Sequence, residues 1–355
     1  VTHIPTSFRR IHHLPLWIKK NNKKITIKTK QKTKSKEKKM KVIVIIPAFN
    51  EERTISQVVS SIPRNCAEEV EVLVVNDGSK DQTAEIAKQH GAKVLSHKTN
   101  LGLGTTFKDG INQALKMGAD IIVNIDADGQ FNPQDIPKLL QPIIDNQADM
   151  ATCSRFKDPR LIPKMPKLKI LGNKFFAKIL NFFLNRKFHD TQCGFRAYSR
   201  EAALNLTLFG KYTYTQEVFI DLIKKGFRIV EVPCKVVGER KGKSRVVKNI
   251  LSYGFKVSLI IVRSMRDYEP LKFFGLTGLF IFLAGALSSL GLFIRFLLVG
   301  RYNPYLSLVY LNVFLIIVGI LLVILGLIAD MLDRNRILQE EILYRLKKKE
   351  YNNKK

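Results

Sequence analysis

Two carboxylates separated by one residue follow a strongly aliphatic stretch of the chain. Residues 121–125 hold four large aliphatic side chains in five positions, which predicts a strand buried on both faces of a parallel sheet. The strand leads into Asp126-Ala127-Asp128, and side-chain alternation places both carboxylates on one side of its end. Ligands of open α/β sheets bind beyond the carboxyl ends of the strands. Paired acids there are hard oxygen ligands for Mg²⁺ or Mn²⁺ carrying a diphosphate. A polar turn that caps Asn132-Pro133 is the alternative use of these acids.

Predicted strands alternate with predicted helices on both sides of this stretch. Strands are predicted at 42–46, 70–75, 92–95, 121–125, 150–154 and 228–232. One helix is predicted to end at about residue 62, a second to follow a capping box of Ser79 and Gln82, and a third to begin at Pro133 with Asn132 as N-cap. Further helices are predicted over 105–117, over about 170–185 and near 215–225. Such alternation predicts a doubly wound α/β domain with a mostly parallel sheet.

The last third of the chain has a different pattern. Residues 244–267 alternate apolar positions with Lys and Arg at helical spacing, which is typical of a basic amphipathic helix in a membrane interface. Phe273–Ile294 and Leu306–Ala329 are each long enough to cross a hydrocarbon core of roughly 30 Å. Lys and Arg flank the outer ends of the pair, although Arg295 and Arg301 lie near the turn between them. The positive-inside rule therefore predicts that both ends of this hairpin face the cytoplasm.

The formal net charge of +29 does not indicate a nucleic-acid-binding protein. Residues 1–39 contain 13 Lys or Arg and one Glu, so without them the balance is 46 basic against 29 acidic residues, or +17. The remaining excess lies around the apolar C-terminal part, and no zinc spacing, heptad or RNA-binding aromatic signature accompanies it. The four cysteines are far apart in sequence and form no Cys-x-x-Cys, which predicts reduced packing cysteines.

These patterns predict five segments. They are a basic disordered arm at 1–39, a catalytic domain at 40–243, an interfacial amphipathic helix at 244–268, a transmembrane hairpin at 269–330 and a basic cytoplasmic tail at 331–355. The arm lacks the apolar region of a signal peptide. Met40 directly precedes the first strand, so a natural translation start at Met40 is the alternative to a translated arm.

Five motifs occur in an order that resembles family-two glycosyltransferases. They are Pro47-Ala-Phe-Asn-Glu51, Asn76-Asp-Gly-Ser79, Asp126-Ala-Asp-Gly-Gln130, Asp190-Thr-Gln-Cys-Gly-Phe-Arg196 and Arg240-Lys-Gly-Lys-Ser244. Within that family the chain most resembles the polyprenyl-phosphate branch, the dolichol-phosphate mannose synthase and bactoprenol glucosyltransferase type. The resemblance covers about residues 40–330, including the hairpin, and it implies a GT-A fold.

The resemblance implies a role for several individual residues. The implied donor-binding residues are Pro47, Phe49, Glu51, Asp77, Ala127, Arg240 and Lys243, the implied metal ligands are Asp126, Asp128 and Gln130, and the implied lipid-phosphate-binding residues are Arg155, Lys169 and Asn173. Asp126, Asp128 and Arg155 are implied to be catalytic. The family commonly has Arg where Lys169 aligns. Solvated charge beside an anionic bilayer is the alternative for Arg240 and Lys243, and a structural turn is the alternative for Asp190–Arg196.

The implied activity is a metal-dependent, inverting transfer of a hexose from a UDP- or GDP-sugar to a polyprenyl phosphate. The implied cofactor is Mg²⁺ or Mn²⁺, and the implied partners are the donor, the acceptor and membrane lipid. The second pKa of a phosphate is about 6, so the acceptor is already anionic at pH 7 and needs no strong general base. The sugar, the nucleotide, the polyprenol and the oligomeric state stay open, a homo-oligomer included.

Two other readings stay open at this point. A processive polysaccharide synthase shares the nucleotide-binding half, but that branch normally carries Gln-x-x-Arg-Trp, and the one Trp of this chain is Trp17 in the arm. A non-catalytic membrane partner that binds a sugar nucleotide is the second alternative. The presence of Asp126, Asp128, Gln130 and Arg155 argues against it.

Overall fold

The computed structural model of this chain describes residues 39–162, 167–208, 214–236, 259, 262–263 and 266–352, with the backbone alone at 167–169, 183 and 352. The predicted arm, most of the predicted interfacial helix, Arg240 and Lys243 lie outside the described residues. Within them, a seven-stranded sheet is followed by two long helices.

The sheet has the strand order β3-β2-β1-β4-β6-β5-β7. Its strands are β1 (Lys41–Ala48), β2 (Glu69–Asn76), β3 (Lys93–Ser96), β4 (Ile121–Asn124), β5 (Met150–Ser154), β6 (Arg196–Ser199) and β7 (Ile229–Pro233). β6 runs antiparallel to both of its neighbours, and the other pairs are parallel. This mixed, mostly parallel sheet confirms the predicted GT-A fold class.

Helices cover both faces of the sheet. They are α1 (Ile55–Ser60), α2 (Thr83–Gln89), α3 (Leu103–Lys116), α4 (Ile136–Ile144), α5 (Lys167–Leu184), α6 (Arg200–Asn205) and α7 (Thr215–Lys224). The side chains of β1 alternate between two buried clusters, with Val42, Val44 and Ile46 in one and Ile43 and Ile45 in the other. A strand covered on both faces must be apolar throughout, which explains the uninterrupted aliphatic run.

The sequence located six of the seven strands within two residues of their ends, and it missed β6. Arg196-Ala-Tyr-Ser199 is short and begins with a charged residue, yet the Arg196 side chain is fully buried. The predicted capping box is also wrong. α2 begins at Thr83, and Ser79 Oγ instead accepts a hydrogen bond from the Asn50 backbone N–H (2.9 Å).

Two helices at the end of the described chain are long and apolar enough to cross a membrane, at Leu271–Val299 and Leu306–Tyr351. The first consists of a short π-helical turn, Leu271–Gly275, and α8 (Leu276–Val299). The second is α9 (Leu306–Asn352), a single helix of 47 residues. α9 therefore continues through residues 331–352, which the sequence predicted as a separate basic tail.

Candidate active site

The two acids of the Asp-x-Asp motif lie directly after β4. Asp126 and Asp128 are both half-buried, whereas Ala127 between them is buried, as side-chain alternation requires. The backbone N–H of Gln130 donates to Asp128 Oδ1 (3.1 Å), which closes a tight turn through Gly129 at φ 71°. A left-handed backbone is the conformation that favours glycine. The turn therefore fixes the direction of the Asp128 carboxylate.

Gly194, in the loop before β6, lies against the Asp126 carboxylate. A Cβ at position 194 would lie 3.0 and 3.1 Å from the two Asp126 oxygens and 3.2 Å from the Tyr214 hydroxyl oxygen. Asn124, the last residue of β4, is buried and donates to the Gly194 carbonyl (2.7 Å) and to the Tyr214 hydroxyl (2.8 Å). The β4–β6 pair thus holds this loop close to Asp126.

Tyr214 is a neutral phenol beside Asp126. Burial, and then the charge of Asp126, raise the pKa of Tyr214 well above its ordinary value. The ring stacks on Phe107 with centroids 3.8 Å apart, which fixes its orientation. A protonated hydroxyl accepts from Asn124 and keeps its own O–H to donate. No role was predicted for Asn124 or Tyr214, although a lone Asn within an aliphatic strand is a recognisable signal.

A buried ion pair joins β5 to the loop before β6. Arg155 Nε and Nη2 donate to Asp190 Oδ2 (2.6 Å) and Oδ1 (2.9 Å), and the Arg155 backbone N–H also donates to Oδ2 (3.1 Å). Burial alone would raise the pKa of Asp190, but Arg155 and the N–H donors hold it below its usual range. Asp190 thereby fixes the Arg155 guanidinium in a bidentate geometry.

Four of the predicted donor-binding residues, Pro47, Phe49, Glu51 and Asp77, lie at the carboxyl ends of β1 and β2, and β1 pairs with β4. Pro47 is buried in β1, and Phe49 and Glu51 follow in the loop after it, both half-buried. The β1 and β2 loops are joined, since the Lys80 backbone N–H donates to Asn50 Oδ1 and the Glu51 N–H donates to Thr83 Oγ1 (both 2.8 Å).

Asp77 is almost fully buried and binds the loop after β3. Its Oδ1 accepts from the Leu101 backbone N–H (2.8 Å) and lies 2.9 Å from His97 Nδ1, and its Oδ2 accepts from the Gly102 N–H (3.0 Å). Gly78 follows at φ 69°, and a Cβ there would lie 2.6 Å from the Thr99 carbonyl carbon. Asp77 therefore fixes the loop after β3 at the carboxyl end of β2.

The remaining predicted residues are on α5 or outside the described residues. Asn173 is half-buried in α5, and Lys169 lies on the same helix, with only its backbone described.

Arg196, the last residue of the Asp190–Arg196 motif, is a buried cation for which no role was predicted. Its guanidinium donates to the Thr191 carbonyl (3.3 Å) and lies over the rings of Phe219 (4.8 Å) and Tyr214 (5.9 Å). Its Nε and Nη1 have no hydrogen-bond partner. Cation–π contacts compensate part of the desolvation of such a group.

The donor set of Asp126, Asp128 and Gln130 fits a hard divalent cation. Among the residues that the structure describes, no three His, Cys, Asp or Glu side chains form a group able to hold a metal ion. Two carboxylates with a carbonyl oxygen and substrate phosphates are, however, a usual Mg²⁺ arrangement, because that ion keeps few protein ligands. The residues present therefore fit a metal that a diphosphate helps to hold.

Known proteins resemble this chain in sequence. The sequence model of the family described as Glycosyl transferase family 2 matches residues 43–206. The chain is 33% identical to UDP-N-acetylglucosamine–dolichyl-phosphate N-acetylglucosaminyltransferase of Methanococcus voltae, covering 60% of this chain and 92% of the relative. It is 29% identical to polyprenol monophosphomannose synthase of Mycolicibacterium smegmatis, covering 63% and 88%.

A solved structure has the same fold. It is glucosyl-3-phosphoglycerate synthase from Mycobacterium tuberculosis in complex with Mn²⁺, UDP-glucose and phosphoglyceric acid, at 23% identity and a TM-score of 0.50, covering 64% of this chain and 79% of that one. At this identity the likeness shows the fold alone.

Proposed function

This chain belongs to glycosyltransferase family 2, and on that premise we propose that it transfers a hexose from a UDP- or GDP-sugar to a polyprenyl phosphate. The product would be a lipid-phosphate-linked sugar. The relatives described above that carry a lipid name use dolichyl or polyprenol phosphate acceptors, which does not favour the processive alternative.

One observation carries the proposal at the level of the site. The loop before β6 contacts both the acidic and the basic groups of the site. Its Gly194 lies against Asp126, and its Asp190 binds Arg155. Asp126 and Asp128 suit the donor diphosphate through a cation, and Arg155 suits an anionic oxygen. One loop thus contacts both the proposed site for the leaving diphosphate and the proposed site for the attacking phosphate.

The proposed reaction is a single in-line displacement that inverts the anomeric carbon. An acceptor phosphate oxygen forms the new bond to that carbon as the bond to the nucleoside diphosphate breaks. Mg²⁺ or Mn²⁺, when bound, would supply Lewis-acid stabilisation of the departing diphosphate. The acceptor is already anionic, so the protein residues contribute positioning and charge stabilisation in place of a base.

Arg155 supplies the proposed protein contact to phosphate oxygens. The two bonds to Asp190 use two of the five N–H donors of the Arg155 guanidinium. Because Asp190 already holds the guanidinium in place, little side-chain entropy is lost when its remaining N–H groups bind an anion.

We propose that the two apolar helices span the membrane and that the catalytic domain and both termini are cytoplasmic. The length of the helices and the Lys and Arg residues beyond their outer ends support this topology. The acceptor carries its phosphate on a membrane-embedded chain, so the active site must work at a bilayer surface. Lys169, Asn173, Arg240 and Lys243 stay proposed contacts to phosphates.

The test is a transfer assay on the purified membrane protein. A panel of UDP- and GDP-sugars is combined with a polyprenyl phosphate, with and without Mn²⁺ or Mg²⁺, using the natural chain and Asp128→Ala. We expect metal-dependent transfer of one sugar, with inversion, that is lost in the variant. Polymer growth without a lipid product would support the processive reading, and nucleotide binding without turnover would support a non-catalytic partner.

A further inference from the structure

The second apolar helix does not end at the edge of its apolar part. The predicted span ends near Ala329, and α9 continues as one helix to Asn352. At a rise of about 1.5 Å per residue, the 22 residues from 330 to 351 extend about 33 Å beyond the span. A continuous helix of this length, unlike a flexible linker, fixes the position and orientation of its far end relative to the apolar span.

One face of this extension contacts the catalytic domain and Tyr268, the last residue of the predicted interfacial helix. The Arg336 guanidinium lies 4.1 Å from the centroid of the Tyr268 ring. Glu340 pairs with Lys225 (3.2 Å), and the Tyr344 hydroxyl hydrogen-bonds to Glu201. Lys347 donates to the Leu206 carbonyl (2.9 Å), and Tyr351 is buried in the core cluster of α3, α6 and α7. Residues 336, 340, 344, 347 and 351, which we call the docking face, follow helical spacing along one stripe.

Lys347 and Lys225 both bind carbonyl groups at the C-terminal end of α6. Lys347 lies at the C-terminal end of α6, where it meets the carbonyls of Leu204 (3.5 Å) and Leu206. Lys225 binds the Asn205 carbonyl (2.6 Å) at the same helix end. Cations at a helix C-terminus interact favourably with the helix dipole and with its unpaired carbonyls.

The docking face contacts the domain at the amino end of β4, and the candidate active site lies at the carboxyl end of that strand. Arg200 donates to the Tyr351 carbonyl (3.2 Å) and to the Ala119 carbonyl (2.7 Å), and its own backbone N–H donates to the Asp120 carbonyl (2.9 Å). Ala119 and Asp120 precede β4, whereas Asp126 follows it. The end of α9 is therefore fixed at the amino end of the strand whose carboxyl end carries the Asp-x-Asp motif.

The membrane end of this connection is also closely packed. Added Cβ atoms at Gly278 and Gly319 would lie 2.7 Å from the Gly319 carbonyl oxygen and 2.6 Å from the Phe282 backbone nitrogen. A Cβ at Gly285 would lie 3.0 Å from the Asn312 carbonyl oxygen. Backbones this close are typical of tightly associated membrane helices. α8 and α9 therefore form one firm unit below the docking face.

We propose that the docking face of α9 is a positioning device for the reaction: it holds the catalytic domain at a fixed height and orientation, so that the site at Asp126 meets a phosphate presented by the bilayer. Tyr344, Lys347 and Tyr351 are its positioning residues. The inference rests on the proposed function, because a soluble acceptor would not require a fixed height. Chemistry at Asp126 and donor binding do not depend on it.

The matched variants are Tyr344→Ala/Lys347→Glu, which disrupts the docking face, and Arg345→Glu. Arg345→Glu makes the same change of charge on the exposed side of the same helix, where Arg345 pairs with Glu341 of its own helix. Each protein is assayed with a long polyprenyl phosphate in vesicles and with farnesyl phosphate in detergent. A fixed orientation lowers the entropy cost of encounter, so the double variant should raise KM for the vesicle acceptor about tenfold. Its kcat with farnesyl phosphate and its donor KM should not change.

Cross-linking measures the docked state without any assay of activity. Glu201→Cys and Lys348→Cys place two thiols across the contact, since Lys348 Nζ lies 3.7 Å from Glu201 Oε1. Glu201→Cys removes the hydrogen-bond partner of Tyr344 in every protein compared, so the other docking contacts must hold the two thiols together. A short bismaleimide should join the thiols efficiently in the otherwise natural chain and poorly when Tyr344→Ala and Lys347→Glu are added. This readout still reports on docking if the protein transfers sugar to no polyprenyl phosphate, so the failure of the proposed function is distinguishable.

Equal loss of activity with both acceptors would overturn the proposal, because it would indicate a structural role. Undiminished cross-linking in the double variant, or an unchanged KM in vesicles, would also overturn it. Restoration of the vesicle KM after the bismaleimide closes the contact would support it.

Discussion

Gly194 lies directly against the carboxylate of Asp126, with room for no side chain between them. A Cβ at position 194 would come within 3.0 Å of that carboxylate and 3.2 Å of the Tyr214 hydroxyl. Asn124 donates to the Gly194 carbonyl, so the loop cannot move away without breaking this buried hydrogen bond. The position of the Asp126 carboxylate therefore depends on a residue 68 positions later in the chain.

Gly194→Ala should displace the Asp126 carboxylate and lower the rate of sugar transfer. A misplacement of about 1 Å at a reacting centre can cost about 10²-fold in rate, which sets the expected loss in kcat. The comparison is Gly172→Ala in α5, where an added Cβ meets nothing within 4 Å. That variant should keep its activity, and a loss of activity equal to that of Gly194→Ala would contradict the steric argument.

Arg155→Met should strongly destabilise the catalytic domain. It leaves the buried Asp190 carboxylate without its bidentate partner, and removing one member of a buried pair costs about 3–5 kcal/mol of unfolding free energy. Arg155→Lys keeps the charge but loses the bidentate hydrogen bonds, so its thermal midpoint should lie between those of Arg155→Met and the natural chain. Arg160→Met removes the exposed partner of Asp158 and should leave the thermal midpoint unchanged. Equal midpoints for Arg155→Met and Arg160→Met would refute the assignment.

Asp77→Ala should weaken nucleotide-sugar binding by loosening the loop at residues 99–104. The variant leaves the backbone N–H groups of Leu101 and Gly102 without their acceptor, so limited proteolysis within the loop should accelerate together with the loss of affinity. Asp109→Ala is the control, because Asp109 contacts His97 Nε2 (3.2 Å) from the other side of the ring. Weaker binding without faster cleavage would instead favour direct contact between Asp77 and the donor.

Glu71→Gln should flatten the acid side of the stability profile. Burial would raise the pKa of Glu71, but hydrogen bonds and charge from Lys41 and Lys93 outweigh it and lower the pKa to about 2. A carboxylate whose pKa is lower in the folded state stabilises the protein above its unfolded pKa, and that stability is lost as pH falls toward 2. Thermal midpoints from pH 5 to pH 2 should therefore fall less steeply in the variant than in the natural chain.

The sequence predicted those features that depend on local patterns. Strands such as β1 and β5 are aliphatic runs bounded by polar turns, and the acids at 126 and 128 follow directly from alternation. β6 escaped prediction because a four-residue strand that begins with a buried Arg196 has no hydrophobic pattern. The contact of Gly194 with Asp126 and the docking of Tyr351 beside Arg200 were also not predicted. They join residues far apart in sequence, and only the register of the sheet and the path of α9 bring them together.

The antiparallel strand β6 has the effect of a spacer. Neighbouring strands lie about 4.8 Å apart, so β6 separates the ends of β4 and β5 by about twice that distance. Without it, the acids that follow β4 and the guanidinium that follows β5 would start from adjacent strands, within easy reach of mutual neutralisation. The sheet thus keeps a negative and a positive strand end apart, and the loop before β6 contacts both of them.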